Sequence, residues 1–305
     1  MELNDYVNEL MKTMQQEFLK LNKEQEIKLV NIYSKAGIEL VKKYSKSRGL
    51  TKAYLKQYTN SIYIELEKLL KEYNISSAEI PCELQQFILD EMAGAAKVNI
   101  KFRNMFATIP KEAISSILSG DIYKDGKGLS KRLWNYGNRN TSSIQDIITN
   151  GMSRMKGAVD IAKELEQFVI PSARKYTGNK AIPGAGRIEY NALRLARTTN
   201  THSYTVANAL AGKSNPFETG LQWHVSKQHS SRMHGKEDIC NRRDMVVYKL
   251  DSVPLDHPNG LCYQSPYFEK NLSEIGDELA SWVHGGSNDV LDSWIKNNMD
   301  KIQIH

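Results

Sequence analysis

The sequence predicts a mainly α protein, an N-terminal helical region followed by a C-terminal α+β module with a small antiparallel sheet. Long apolar stripes at three-and-four spacing fill the first 120 residues, whereas short apolar runs bounded by polar turns occur only beyond Gly212. At 305 residues and 40% hydrophobic content the chain can bury a core, with room for one large or two ordinary domains.

From Leu3 to about Val41 the residues Leu3, Tyr6 with Val7, Leu10, Met14, Phe18 and Leu21 recur at helical spacing, with Glu, Lys and Gln between them. The pattern predicts one long amphipathic helix, broken at most once. After Arg48-Gly49, Thr51 can cap a second helix whose stripe is Tyr54, Leu55, Tyr58, Ile62, Leu66, Leu69 and Tyr73. Pro81 predicts the start of a third helix, and a short fourth runs from Pro110 to a stop at Gly120. The first 120 residues carry little local chemistry.

"GDIYKDGKG", dense in Gly and Asp, predicts a hinge over 121–128. The next module, 129–267, opens with short helices expected to break at Gly137 and Gly151 and to end at Pro171. "TGNKAIPGAG" (Thr177 to Gly186) reads as a connection; it lacks the G-K-[ST] ending of a phosphate-binding loop. A longer helix follows to Gly212, with Leu193, Ala196, Thr199 or Asn200 and Ser203 on one face and Arg187, Arg194 and Arg197 on another. Gly220 to Lys227 and Met245 to Leu250 predict strands. A C-terminal extension, 268–305, closes the chain with helical pieces around Leu272 to Val283 and Val290 to Ile302.

Charge is concentrated rather than high. Lys131 to Asn200 holds twelve Lys or Arg against five Asp or Glu, while the whole chain carries only +6. Such a segment suits a polyanion, and Lys131, Arg132, Arg139, Arg154, Lys156, Arg187, Arg194 and Arg197 are the candidates to grip DNA phosphates without reading sequence. A well-solvated helical surface would look the same. Nothing near Met1 combines a basic start with an apolar stretch, and no run approaches the roughly 18 apolar residues of a membrane span. Three cysteines, one of them the distant Cys82, do not make a paired disulfide framework, so a reducing cytoplasm is expected.

The densest chemistry lies in "HGKEDICNRRDMVVYKLDSVPLDHPNGLCY". His234 and Cys240, with His257 and Cys262, supply four nitrogen and sulfur donors in two close pairs, the set for a closed tetrahedral zinc site. The other reading makes Cys240 and Cys262 small buried hydrophobes and His257 a hydrogen-bonded turn residue ahead of Pro258. "LDHPNG" also has the look of an HNH-type nuclease. Pro258 and Cys262 interrupt that pattern, and no Asn-to-His pair follows on a helix. A Cys-His hydrolase would need an orienting third group that the sequence does not offer.

The order of these pieces resembles the phage Mu-type minor head family (MuF-like, head morphogenesis). That family has an "R-x-A-R-T-x-x-N" helix, a tryptophan strand, a "D-x-C" turn and a closing "P-x-x-HP-x-C-x-C". Arg194, Ala196, Arg197, Thr198, Asn200, Trp223, His234, Asp238, Cys240, Pro254, His257, Pro258 and Cys262 match family positions, over roughly Leu129 to Tyr267. The chain departs from the pattern where Asn200 follows Thr198 by two residues and where the close reads "HPNGLCYQS", one cysteine short. The resemblance implies a non-catalytic structural protein of the virion, made in the host bacterial cytoplasm and lodged inside the phage head. Its implied partners are the portal protein, capsid or scaffold proteins and non-specifically held packaged DNA, in head assembly and in genome packaging or ejection. A metal-dependent HNH-like nuclease and a zinc-stabilised DNA-binding module are the competing expectations.

Overall fold

A computed structural model describes residues 3–98, 100–101, 105–171, 187–232, 235–299 and 303–304. The expected class holds: the chain is mainly helical, with a three-stranded antiparallel sheet in its C-terminal part. No described helix is long and apolar enough to cross a membrane.

The chain divides into two compact units that interleave along the sequence. One comprises Met1–Leu21, Tyr73–Ile117 and Arg197–His305, the other Asn22–Glu72 and Leu118–Ala196. The interleaving arises because three long helices, α1 (Leu3–Ser47), α2 (Lys52–Ala95) and α6 (Tyr190–Lys213), each run through a unit boundary. Helix α1 is unbroken. Helix α2 also continues through Pro81, where a new helix was expected. Proline removes one hydrogen bond from a helix, but Ala78, Ile80, Cys82 and Leu84 on either side are buried, and that packing holds the turn together.

In the unit built from the chain's two ends, Leu3, Val7, Met11, Met14 and Phe18 form the buried stripe of α1 and meet Leu84, Ile88 and Met92 of α2 in one core. Helix α3 (Ile109–Ser119) adds Ile109 and Ala113, and α6 adds Tyr204, Ala207 and Ala211. The sheet has the order β3-β2-β4: β2 (Glu218–His224) is central, flanked by β3 (Val247–Tyr248) and β4 (Tyr263–Phe268). The register sets Trp223 opposite Gln264 and Leu221 opposite both Tyr248 and Pro266. Pro266 is tolerated because β4 lies at the sheet edge. Asn4 clamps the end of that strand, donating to the Phe268 carbonyl (2.8 Å) and accepting from its N–H (3.0 Å). Two short helices, α7 (His229–Arg232) and α8 (Ile239–Arg243), fill the connection from β2 to β3. Helices α9 (Leu272–Val283) and α10 (Asp289–Asn298) bury Ile275, Leu279, Leu291 and Trp294 in the same core. A two-residue pairing of β1 (Ile100–Lys101) with β5 (Gln303–Ile304) returns the C-terminal end to the segment after α2.

In the other unit, α4 (Leu129–Ser153) runs straight through Gly137 and Gly151, where breaks were expected. Both glycines are there for close packing. A Cβ on Gly137 would lie 2.8 Å from the Tyr63 ring, and one on Gly151 would lie 2.6 Å from Ile161 of α5 (Ala158–Val169). The unit's buried residues include Tyr33, Leu40, Tyr44, Leu55, Ile62, Leu66, Leu133, Ile144 and Leu165. Asn140 joins its polar interior by donating to the Tyr63 hydroxyl (2.7 Å) and the Ile188 carbonyl (3.2 Å). Predicted hinge residues 121–128 form turns, begun by Gly120 at φ +91°. The connection from Thr177 to Gly186 lies outside the described residues.

Candidate functional site

The segment from Pro254 to Cys262 has no regular secondary structure of its own, and much of it is buried. Buried backbone in a loop needs hydrogen-bond partners, and here they come from a polar face of α6. Thr198 Oγ1 accepts from Asn259 N–H (2.9 Å), and Thr201 Oγ1 donates to the Gly260 carbonyl (3.0 Å). His202 Nε2 pairs with the Asp256 carbonyl (3.0 Å), and Asn208 Nδ2 with the Gln264 carbonyl (2.9 Å). Arg197 donates to the Asn259 side chain (3.0 Å). Of the predicted face, Ala196, Thr199, Asn200 and Ser203 are buried and Leu193 is half-buried, and most of the face is polar.

Asp256 holds the loop closed from inside. Its carboxyl accepts from the N–H of His257 (2.8 Å) at one oxygen and of Cys262 (3.0 Å) at the other, and from the Cys240 thiol (3.4 Å). Gly260 permits this by space alone: a Cβ there would lie 1.9 Å from Asp256 Oδ2. Cys240 and Cys262 pack with the fully buried Trp223 in a small core, over which the Arg243 guanidinium stacks at 5.1 Å from the indole. The Cys240 thiol is held well above its ordinary range by its hydrogen bond with Cys262, then by burial and by the neighbouring Asp256. Burial pushes Cys82, in α2, up to about 12, and it is remote from this cluster in sequence.

On the outer side of Cys240 a cleft of about 350 Å3 opens, lined by His229, Asp238, His257, Asn259 and Gly260 among others. Asp238 caps α8, accepting from Cys240 N–H (2.7 Å), while Asn241 reaches back to Asp238 N–H (3.0 Å). The cap fixes the carboxylate between two imidazoles: His229 Nε2 is 3.1 Å from Oδ1 and His257 Nε2 is 3.3 Å from Oδ2. One donor atom from each of His229, Asp238, Cys240 and His257 lies within 4.8 Å of all the others. A second set, Cys240, Asp256 and Cys262, shares the same thiol and meets the same limit.

Of the four predicted zinc donors, the structure gathers Cys240 with His257 in the first set and Cys240 with Cys262 in the second; His234 lies outside the described residues. Sequence reasoning marked His229 only as one of the crowded histidines and Asp256 only beside His257 in the HNH-like pattern, and proposed none of His229, Asp238 and Asp256 as a metal donor. Crowding of histidines between His224 and Cys262 was a signal for His229, but no standard ligand spacing separates it from Asp238. His224 has another role: its Nε2 pairs with Ser265 Oγ (2.7 Å), its ring stacks on Tyr263, and burial lowers its pKa.

The eight predicted phosphate contacts are surface or half-buried residues, but several already serve the protein. Arg132 binds Asp125 (2.7 Å) and lies over the Tyr123 ring, Lys156 pairs with Glu164, and Arg197 holds Asn259. Lys131, Arg139, Arg154, Arg187 and Arg194 are exposed. Searches against family models, curated proteins and solved structures return no match for this chain.

Proposed function

We propose that this chain is a structural, non-catalytic minor head protein of a bacteriophage, residing inside the capsid near the portal and assisting head assembly and genome packaging or ejection. One observation carries the reading: motifs matched to the head-morphogenesis pattern, though spread over some seventy residues, meet in one small folded assembly. Arg197 and Thr198 of the helix motif bind Asn259, beside His257-Pro258. Trp223 of the strand packs on Cys240 of the "D-x-C" turn and on Cys262 of the closing segment. Asp238 of the turn faces His257. Their mutual contacts support reading them as parts of one module.

The polar groups of that assembly support a scaffolding role, because Thr198, Thr201, His202 and Asp256 spend their hydrogen bonds on backbone. Packaged DNA would be met through the exposed Lys131, Arg139, Arg154, Arg187 and Arg194, as diffuse phosphate contacts. Portal, capsid or scaffold proteins are the proposed protein partners. Mass spectrometry of virions produced from a genome encoding this chain tests the proposal. The chain should be present at low copy number and should stay with tail-free heads that retain their portal. Its absence from purified particles would overturn the reading.

A further inference from the structure

We infer that the cleft beside α8 is a transition-metal site, in which His229, Asp238, Cys240 and His257 hold one zinc-class divalent ion, with Cys262 and Asp256 outside the ligand set. The inference is independent of the phage reading, since it rests on donor geometry alone. It also replaces the pairing expected from sequence spacing, because two of its donors come from residues that spacing did not mark.

Four donors of three kinds, two imidazole nitrogens, a carboxylate oxygen and the Cys240 sulfur, which would bind an ion as its thiolate, converge with their ligand atoms within 4.8 Å of each other. Bonds of 2.0 to 2.3 Å place tetrahedral donors roughly 3.3 to 3.8 Å apart. The His229–Asp238 and Asp238–His257 separations of 3.1 and 3.3 Å are already near that edge length. A mixed nitrogen, oxygen and sulfur set is borderline in softness and selects zinc-class ions over calcium or magnesium.

His257 makes the need for a cation specific. Its Nδ1 lies 3.2 Å from the Pro258 carbonyl, and the tautomer that donates there leaves the Nε2 lone pair available on the side of the cluster. That Nε2 atom is buried and makes no hydrogen bond, yet it faces carboxylate oxygens of Asp238 at 3.3 Å and Asp256 at 3.8 Å. In the tautomer that donates to Pro258, the Nε2 lone pair faces these two carboxylates, and a cation held between them turns that repulsion into coordination. On the other side, His229 Nε2 lies 3.1 Å from Asp238 Oδ1 and 3.1 Å from Asn241 Oδ1, so an ion would take the place of its pairing with Asn241.

The rival set of Cys240, Asp256 and Cys262 offers one donor fewer, and its carboxylate is already engaged at both oxygens by backbone N–H groups. Asp238 has one oxygen engaged by its cap and the other directed at His257. The chosen set also joins separate pieces of chain, from α7, the cap and first turn of α8, and the loop before β4. An ion there would tie the β2–β3 connection to the 254–262 loop and contribute its binding energy to folding.

The test uses the full, untagged chain purified under reducing conditions. Elemental analysis should return one zinc per chain, and a content below about a tenth of that, not restored by added zinc, would overturn the site. Cobalt replacement should give tetrahedral ligand-field bands with a sulfur-to-cobalt charge-transfer band of one thiolate's intensity. An intensity corresponding to two thiolates would place the ion in the rival set and overturn the assignment, with no variant needed. Among variants, Asp238→Asn preserves a competent helix cap while removing the charge, and His229→Gln keeps a polar side chain of similar reach. Each should weaken zinc binding at least 10- to 100-fold, the range that loss of a ligand-shell partner produces, while Cys262→Ser should stay within a few-fold of the parent. The reverse ranking would refute the assignment, and unchanged far-ultraviolet circular dichroism certifies the fold in each case.

Discussion

Replacing Gly260 by alanine should damage the candidate site more than any other single-methyl change, and the size of the effect follows from the loop. Gly260 has no unusual φ, so backbone strain is not the issue. The new Cβ would fall 1.9 Å from Asp256 Oδ2, 2.2 Å from Cγ and 2.5 Å from Oδ1, so the whole carboxyl group must leave its seat. It cannot yield cheaply, because that carboxyl accepts from His257 N–H, Cys262 N–H and the Cys240 thiol. Losing three hydrogen bonds at about 1 kcal/mol each gives about 3 kcal/mol, before any cost of leaving buried N–H groups unpaired. For a unit of this size that corresponds to a fall in melting temperature of about 6 to 12 °C. Differential scanning fluorimetry reads the shift, and hydrogen exchange of peptides covering 254–268 should localise it to the loop. Combining Gly260→Ala with Asp256→Ala should cost little more than Asp256→Ala alone, since both act through one carboxyl. A drop below about 2 °C, or additive effects of the two substitutions, would refute the account.

Three further outcomes are expected. Glu218 is wholly buried; its Oε2 accepts from Gln85, and its Oε1 has no partner, so burial raises its pKa well above the carboxylate range. The folded state then holds a proton that the unfolded chain releases, so stability is highest below the ordinary carboxylate pKa and falls as pH rises toward the folded value; Glu218→Gln should remove this loss, and equal melting-temperature slopes for parent and variant between pH 5 and 8 would count against it. Non-specific DNA binding should weaken with salt, and Arg139→Ala, Arg154→Ala and Arg194→Ala together should reduce the slope of log K against log salt by up to about 0.9 per lost contact, against an unchanged slope if these residues only solvate the surface. Plasmid incubated with the chain and magnesium, manganese or zinc should remain uncut; cleavage that disappears in His257→Ala would make the protein a nuclease instead.

Helices were legible wherever apolar periodicity was sustained, as in α1, α3, α6, α9 and α10, the last two of which also start on capping asparagines, Asn271 and Asn288. What misled were residues whose usual local meaning was overridden by packing. Pro81, Gly137 and Gly151 read as helix breakers, yet each sits where neighbouring side chains pay for continuity: buried apolar flanks at Pro81, the Tyr63 ring at Gly137 and Ile161 at Gly151. Strand β4 was not predicted because "YQSPYF" contains a proline and two polar residues. Its Gln264 and Ser265 are nevertheless buried, paired with side chains from α6 and β2. Pairing of β1 with β5 could not be read at all, since two-residue strands two hundred positions apart have no period to detect.

Within the site, sequence showed the crowding of histidine and cysteine but not the partners, because spacing along a chain says little about donors brought together by three separate elements. Asp256 illustrates the point. Beside His257 it looks like half of a catalytic pair, yet its oxygens are turned inward to backbone N–H groups, and the imidazole is held instead against Asp238, eighteen residues before Asp256. The polar run from Thr198 to Asn208, which resembles chemistry when read as letters, supplies hydrogen bonds to a buried loop that lacks its own. A loop so held has its backbone hydrogen bonds met without any ligand, which fixes the positions of its donors. Loop closure and metal binding therefore draw on the same residues, and Cys240 is where they meet: its N–H is taken by the Asp238 cap, its thiol by Asp256, and its sulfur belongs to both donor sets. Removing an ion should thus cost affinity first and loop order second, whereas removing Asp256 should cost loop order first, and the order of those losses separates a metal site resting on the fold from a fold resting on the metal.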